Sequence, residues 1–186
     1  MLKEILHERR SYRSFVPVEI SDKVVHDLAY SAGLSASCFN NQPWNFIFVR
    51  DRDRLKLLFD AMSRGNEWTF DASMIIAVIS RAEDDCKIHG RVYNLFDTGM
   101  ATAYMMLRAW DLGLVAHAIG GYHENEVKEA LNIPDDMQVI TLLIVGKHTE
   151  LPSRRLSEKQ LHDEGHRPPR KSFEKYCFID SYQKDQ

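Results

Sequence analysis

Residues 74–79 read Met-Ile-Ile-Ala-Val-Ile, six positions without a polar side chain. Such a run offers no face to water, so it predicts a strand buried in the interior of a sheet. Residues 139–145 form a second β-rich apolar segment and predict another central strand. Residues 44–49 alternate bulky side chains, and 115–119 are short and β-rich, so both are strand candidates. Helical spacing separates them. Leu2, Ile5 and Leu6 share one face of a helix predicted over about residues 2–10, and Arg9 falls on that same face. Ser21 is placed to cap a helix carrying Val24, Val25, Leu28 and Ala32, with Gly33 as its stop. Asp51 is placed to cap another, with Leu55, Leu58, Phe59 and Met62 in register. The longest periodic segment covers residues 91–112, where Gly99, Ala101 and Ala103 would let another backbone approach. Residues 124–131 form a helix that stops ahead of Pro134. This mixture predicts an α+β sandwich of one domain over residues 1–186. The polar tail, 148–186, reads as an arm whose late aromatics, Phe173, Tyr176 and Phe178, pack on a partner subunit.

A chain of 186 residues is long enough to bury one sizeable core. Its net charge of −3 argues against nucleic-acid binding, which needs a basic face. No apolar run is long enough to span a bilayer, and the N-terminal segment lacks a signal-peptide core. The three cysteines, Cys38, Cys86 and Cys177, are odd in number and widely spaced, which predicts free thiols and a cytoplasmic location.

Four segments hold candidate chemistry. Arg9, Arg10, Ser11 and Arg13 could converge as a phosphate clamp, because guanidinium groups bind phosphate in bidentate fashion. Surface ion pairs, or the helix dipole, would explain the same arginines. Residues 35–44 are dense in short donors and acceptors, suited to the edge of a polar heterocycle or simply to a loop. Gly120 and Gly121 follow a strand, where they would admit a flat ligand or make a tight turn. Arg155 could add a second cation to a phosphate or stay solvated. Cys86 with His89, and His162 with His166, have metal-compatible spacing but no second ligand pair, so no metal is expected. Dinucleotide and P-loop glycine motifs are absent.

Taken in order, the motifs resemble the nitroreductase family. They are Arg-Arg-Ser-x-Arg at residues 9–13, Ser-x-Ser-x-x-Asn-x-Gln-Pro-Trp at 35–44 and Asp-Ala-Ser at 71–73. Asp-Thr-Gly-Met-Ala at 97–101, Asp-Leu-Gly-Leu at 111–114, the Gly-Gly turn and Pro-x-x-Arg at 152–155 complete the set. The likeness runs to about Arg155 and more loosely through residues 167–171. It implies a central, mostly antiparallel sheet flanked by helices, and a homodimer with FMN at the subunit interface. It implies that Arg9, Arg10, Ser11 and Arg13 hold the phosphate, ribityl chain and ring edge, with Arg155 assisting. Ser37, Cys38 and Asn40 would reach the flavin of the other subunit, and Ala118, Gly120 and Gly121 would lie against the ring. Arg64 and Asn66 occupy a stretch that departs from the family pattern and are candidates for ring contact. The implied activity is hydride transfer from NADH or NADPH, through the flavin, to a small electron-poor acceptor such as a nitroaromatic or a quinone. No protein nucleophile is required, and Arg13 would act electrostatically. Flavin reductase, dehalogenase-like or dehydrogenase chemistry, or flavin binding without catalysis, would use the same scaffold.

Overall fold

A computed structural model describes residues 2–182. The chain runs α1 (Leu2–Glu8), β1 (Phe15–Val16), α2 (Asp22–Gly33), β2 (Asn45–Val49), α3 (Arg52–Asp60), β3 (Met74–Ser80), β4 (Lys87–Ile88) and β5 (Arg91–Val92). It continues through α4 (Asn94–Asp111), β6 (Val115–Ile119), α5 (Glu124–Leu131), β7 (Gln138–His148) and α6 (Glu158–Gly165).

The two apolar runs are neighbours. β3 and β7 pair from Met74↔Val145 to Ser80↔Gln138. β2 pairs with β3, β6 pairs with β7 along Leu142–Gly146, and β1 pairs with Lys147 and His148 at the end of β7. Every pair in this five-stranded sheet is antiparallel, as the family resemblance implies. Period-two alternation sends Ile75, Ala77 and Ile79 to one face and Met74, Ile76 and Val78 to the other. The register slips at Val78/Ile79, where Ile140 is the extra residue, so Val139 and Leu142 reach the same face. Leu55 and Leu58 of α3, Val127 of α5 and Trp68 cover the first face. Leu28 and Ala32 of α2, with Ala101, Met105 and Ala109 of α4, cover the second. A bidentate ion pair ties the latter helices, Arg108 to Asp27 at 2.6 and 2.8 Å. No described helix is long and apolar enough to cross a membrane.

Both predicted caps form: the Ser21 hydroxyl accepts from Val24 N and the Asp51 carboxylate from Arg54 N. Several sequence expectations need correction. α1 ends at Glu8 instead of Arg10, and its apolar face is not buried in this chain, with Leu2 63% and Leu6 55% exposed. The predicted first turn of the long helix is instead a hairpin, β4–β5, because His89 and Gly90 both take positive φ. Ala101 points into its own core, whereas Gly99 and Ala103 lie on the exposed face of α4 beside Leu95, Phe96 and Tyr104. Cys38 and Cys86 are joined as a disulfide with Cα atoms 6.1 Å apart, against the expectation of thiols throughout; Cys177 is a thiol. The tail is also more than an irregular arm. α6 opens with a capping box in which Ser157 and Gln160 satisfy each other's backbone amides.

Candidate active site

Residues 9–14 leave α1 as irregular backbone before β1. Their amides and carbonyls are held almost entirely by distant residues. The Glu164 carboxylate on α6 accepts from Arg13 N at 3.0 Å and Ser14 N at 2.8 Å. Ser14 O accepts from Thr149 N at 3.1 Å, and Ser14 Oγ from Ser153 N at 3.1 Å. Arg10 donates to Asp163 O at 3.0 Å, and its guanidinium lies over the Tyr12 ring. Tyr12 stacks on His148 with centroids 3.7 Å apart. The segment is therefore fixed from the backbone outward and through Arg10, leaving the Arg9 and Arg13 side chains available to a ligand.

Those side chains converge. Arg9, Arg10, Ser11 and Arg13 line a cavity of about 300 Å³ together with Asp163 of α6 and Arg167, Pro168 and Arg170 from the tail, five cations to one acid. Arg167 also donates to the carbonyls of His7 and Arg9, which clasps the tail to the end of α1. Burial lowers the pKa of Arg9 from its ordinary value, and the neighbouring Arg167 and Arg170 lower it further. Among the described residues Arg9 has no carboxylate partner; its guanidinium meets only Ser11 Oγ, at 3.5 Å. A half-buried cation repelled by two exposed neighbours favours an anion at that place. Arg155 does not line this cavity. It pairs with Asp71 at 3.5 Å and lies over Phe70.

Arg13 stands over the Trp68 ring, 6.0 Å from its centroid, and behind it lies His117. Burial, foremost, pushes the His117 imidazole down to about 4, with the charges of Arg13 and Arg9 acting in the same direction. Its Nδ1 lies 3.0 Å from Tyr12 O. Ala118 and Gly120, at the end of β6, are exposed and present almost no side chain there. Gly121 is needed for close approach. Its carbonyl accepts from Ser63 N at 3.0 Å and Asn66 Nδ2 at 2.9 Å, and a side chain at 121 would collide with that amide. Asn66 is thus held beside the glycine turn, whereas nothing places Arg64 there.

Ser37, Cys38 and Asn40 lie elsewhere, on a loop containing a 3-10 turn over Cys38–Asn40. Phe39, Asn40 and Gln42 all have positive φ, and Phe39 is 82% exposed. The loop is pinned from below, where Asp97 Oδ2 accepts from Cys38 N at 2.6 Å, and from within, where Ser37 Oγ accepts from Gln42 N at 3.0 Å. Burial raises the pKa of Asp97. Ser37, Cys38 and Asp97 line a second cavity that shares no lining residue with the arginine one.

Sequence reasoning missed Glu164 and Asp163 and reached Arg167 and Arg170 only through a loose resemblance. The capping-box spacing at Ser157 and Gln160 was a readable helix signal. The contact of that helix with residues 10–14, some 150 positions earlier, had no local signature.

The nitroreductase family profile matches residues 6–67 and 54–147. The chain is 32% identical over 149 residues to an Archaeoglobus fulgidus protein with the provisional name NADH dehydrogenase/NAD(P)H nitroreductase, covering 77% of this chain and 83% of that one. A nitroreductase family protein from Clostridium novyi NT shares the fold with a TM-score of 0.75 and 25% identity, over 81% of this chain and 86% of that one. A solved structure described as an oxidoreductase containing FMN superposes with a TM-score of 0.83 and 24% identity, over 97% of this chain and 92% of its own.

Proposed function

The chain belongs to the nitroreductase family, and on that basis we propose that it is a homodimeric FMN oxidoreductase, passing hydride from NADH or NADPH to a small electron-poor acceptor. The observation that carries this reading is the convergence of Arg9, Arg167 and Arg170 on one cavity, with no carboxylate paired to Arg9 among the described residues. A phosphate monoester fits that donor set, since guanidinium groups bind phosphate in bidentate fashion. FMN carries such a group, and a fold neighbour is described as containing FMN.

In this reading Arg9, Arg10, Arg167 and Arg170 hold the phosphate, and Ser11 adds a hydroxyl. When bound, FMN supplies the hydride chemistry at its N5. Arg13 places a fixed cation at the ring edge, where Trp68 and the neutral His117 behind it keep water away. Ala118, Gly120 and Gly121 leave room for a flat ring, and Asn66 stiffens the turn. Arg155, paired with Asp71, supports the tail instead of the phosphate.

The dimer reading rests on exposed apolar side chains that this chain does not cover. Leu2 and Leu6 on α1, Leu95, Phe96 and Tyr104 on α4, and the tail aromatics are all exposed. Exposed apolar side chains in such number favour an interface. The separation of the Ser37–Asn40 loop from the arginine cavity supports its acting on the partner's flavin.

The test is direct. Purified protein incubated with excess FMN should retain it through gel filtration and release it, identified as FMN, on heating. It should then oxidise NADH or NADPH when given a nitroaromatic or quinone. Protein that stays colourless, or a yellow protein that consumes neither nucleotide with any such acceptor, would overturn the assignment.

A further inference from the structure

Among the described residues, the loop over 37–42 is tied to the rest of the fold by one covalent bond and two hydrogen bonds. Asp97 Oδ2 accepts from Cys38 N at 2.6 Å, and Asp85 Oδ1 accepts from Asn41 Nδ2 at 3.3 Å. The remaining bonds are internal, among them Asn40 N to Ser37 O, Asn41 N to Cys38 O and Gln42 N to Ser37 Oγ, each at 3.0 Å. Phe39, at the tip, is 82% exposed. Yet Phe39, Asn40 and Gln42 take φ of 49°, 60° and 53°, a region that residues with a side chain keep only when their surroundings hold them there. The covalent tie is the Cys38–Cys86 disulfide, which spans 48 positions of sequence and meets the chain at the start of this strained stretch.

The two ends of the disulfide are unequal. Cys86 sits in a segment held without it. Cys86 O accepts from Tyr93 N at 3.3 Å across the base of the β4–β5 hairpin, and Arg81 pairs with Asp84 at 2.9 Å and with Asp136 at 2.6 Å. Opening the bond would therefore release the loop and leave the hairpin in place. The sulfurs are also within reach. Both cysteines are half-buried, and Cys38, but not Cys86, lines a cavity of about 330 Å³ with Ser37, Tyr93 and Phe96. A small molecule entering there meets Cys38 first. A proton for the departing Cys86 sulfur is stored alongside. An oxygen of Asp85 lies within 4.8 Å of both sulfurs, and the Asp85 and Asp97 carboxyls hydrogen-bond to each other, which requires a proton between them.

We propose that Cys38–Cys86 is a thiol–disulfide exchange site for a small thiol, and that its opening unlatches the 37–42 loop. The thiolate of one such molecule attacks Cys38 Sγ and forms a mixed disulfide. The Cys86 sulfur leaves with the bonding pair and takes a proton from the carboxyl pair, which water restores. A second small thiolate attacks the outer sulfur of the mixed disulfide, and Cys38 leaves and is protonated in turn. Two small thiols are thereby oxidised to their disulfide, the protein disulfide is reduced, and the two protons the small thiols lose end on Cys38 and Cys86. Without the bond, the exposed contact between Asn41 and Asp85 and the single Asp97 contact are left to hold three residues at positive φ. The loop then relaxes toward ordinary backbone conformations.

Reduced glutathione is the probe, added to the full chain supplied with FMN. Thiol titration of the native protein should rise from Cys177 alone to all three cysteines. The hydrogen-bonded amides of Cys38, Asn40, Asn41 and Gln42 should then exchange about tenfold or more faster, while the strands of the main sheet are unchanged. Cys86→Ser should show the fast exchange without any thiol and no response to one. The proposal fails if the bond opens only in denaturant, if it opens and exchange at those amides does not change, or if Cys86→Ser exchanges slowly. The wild-type arms with and without glutathione decide the matter even if the variant misfolds. One consequence alone rests on the flavin reading proposed above: an unlatched loop should hold the partner's FMN about fivefold or more weakly, because binding must then order it. Amides that loosen while FMN affinity stays constant would leave the exchange site standing and remove the loop from the flavin, so the two readings fail separately.

Discussion

Arg9 is half-buried beside Arg167 and Arg170, and among the described residues no carboxylate pairs with it. Its removal should relieve repulsion among the arginines and cost affinity for a bound anion. Arg9→Ala is expected to weaken FMN binding by about 1.5–3 kcal/mol, the range for hydrogen bonds to charged groups. Flavin fluorescence titration measures this directly, and unchanged affinity would remove Arg9 from the phosphate site. His117 sets a pH dependence. Its folded pKa is about 4 against 6.5 for the unconstrained side chain, so the folded state keeps it neutral while the unfolded chain takes up a proton. Stability from this residue is complete above about pH 6.5, is lost as pH falls towards 4 and changes no further below that. Summed over that window the loss is about 3 kcal/mol. Urea unfolding at pH 7 and pH 4.5 should show it in the wild type and much less in His117→Gln; equal slopes would place His117 in a solvated environment. Of these two residues, the sequence marks Arg9, through its clustering with Arg10 and Arg13. His117 carries no such mark, because its burial comes from Trp68 and Tyr12, far away in the chain.

At the scale of elements, the core strands and helices are legible because each repeats its own period. The run at 74–79 and the segments at 115–119 and 124–131 fold as their spacing predicts. Caps are equally readable at Ser21 and Asp51, where one side chain meets an amide three residues on. The hairpin at 87–92 is hidden because its strands are two residues each and its turn pairs Gly90 with His89 where Asn or Asp would be the usual signal. α6 is the most consequential omission. It presents Glu164 to two consecutive amides of the arginine segment and so sets the direction of the side chains on either side. Glu164→Ala should leave those amides without an acceptor. Faster hydrogen exchange at Arg13 and Ser14, and FMN affinity reduced about tenfold or more, are the expected results, since each such bond to a charged group contributes about 1.5–3 kcal/mol. Exchange unchanged at both amides would show that α6 does not brace the segment.

For the whole molecule, the proposed shared site rests on two surface features of one chain. The arginine cavity lies on one part of the surface and the Ser37–Asn40 loop on another, and apolar side chains of α1, α4 and the tail face outward. In the two-fold dimer we propose, the apolar faces would be buried and each loop would reach the partner's cavity. The periodicity of residues 91–112 hints at this, because small residues recur on the face that α4 leaves exposed, although Ala101 belongs to the core. What no single-chain pattern can show is which surfaces meet, since that depends on complementarity between copies. The most direct test is subunit mixing. Arg13→Ala and Asn40→Ala proteins, each inactive in NAD(P)H oxidation, are combined under conditions that allow exchange. The shared-site account predicts that activity returns, because one site in the mixed dimer has both wild-type residues. Mixtures that stay inactive after exchange is demonstrated, or a wild-type monomer that is fully active with FMN bound, would contradict it.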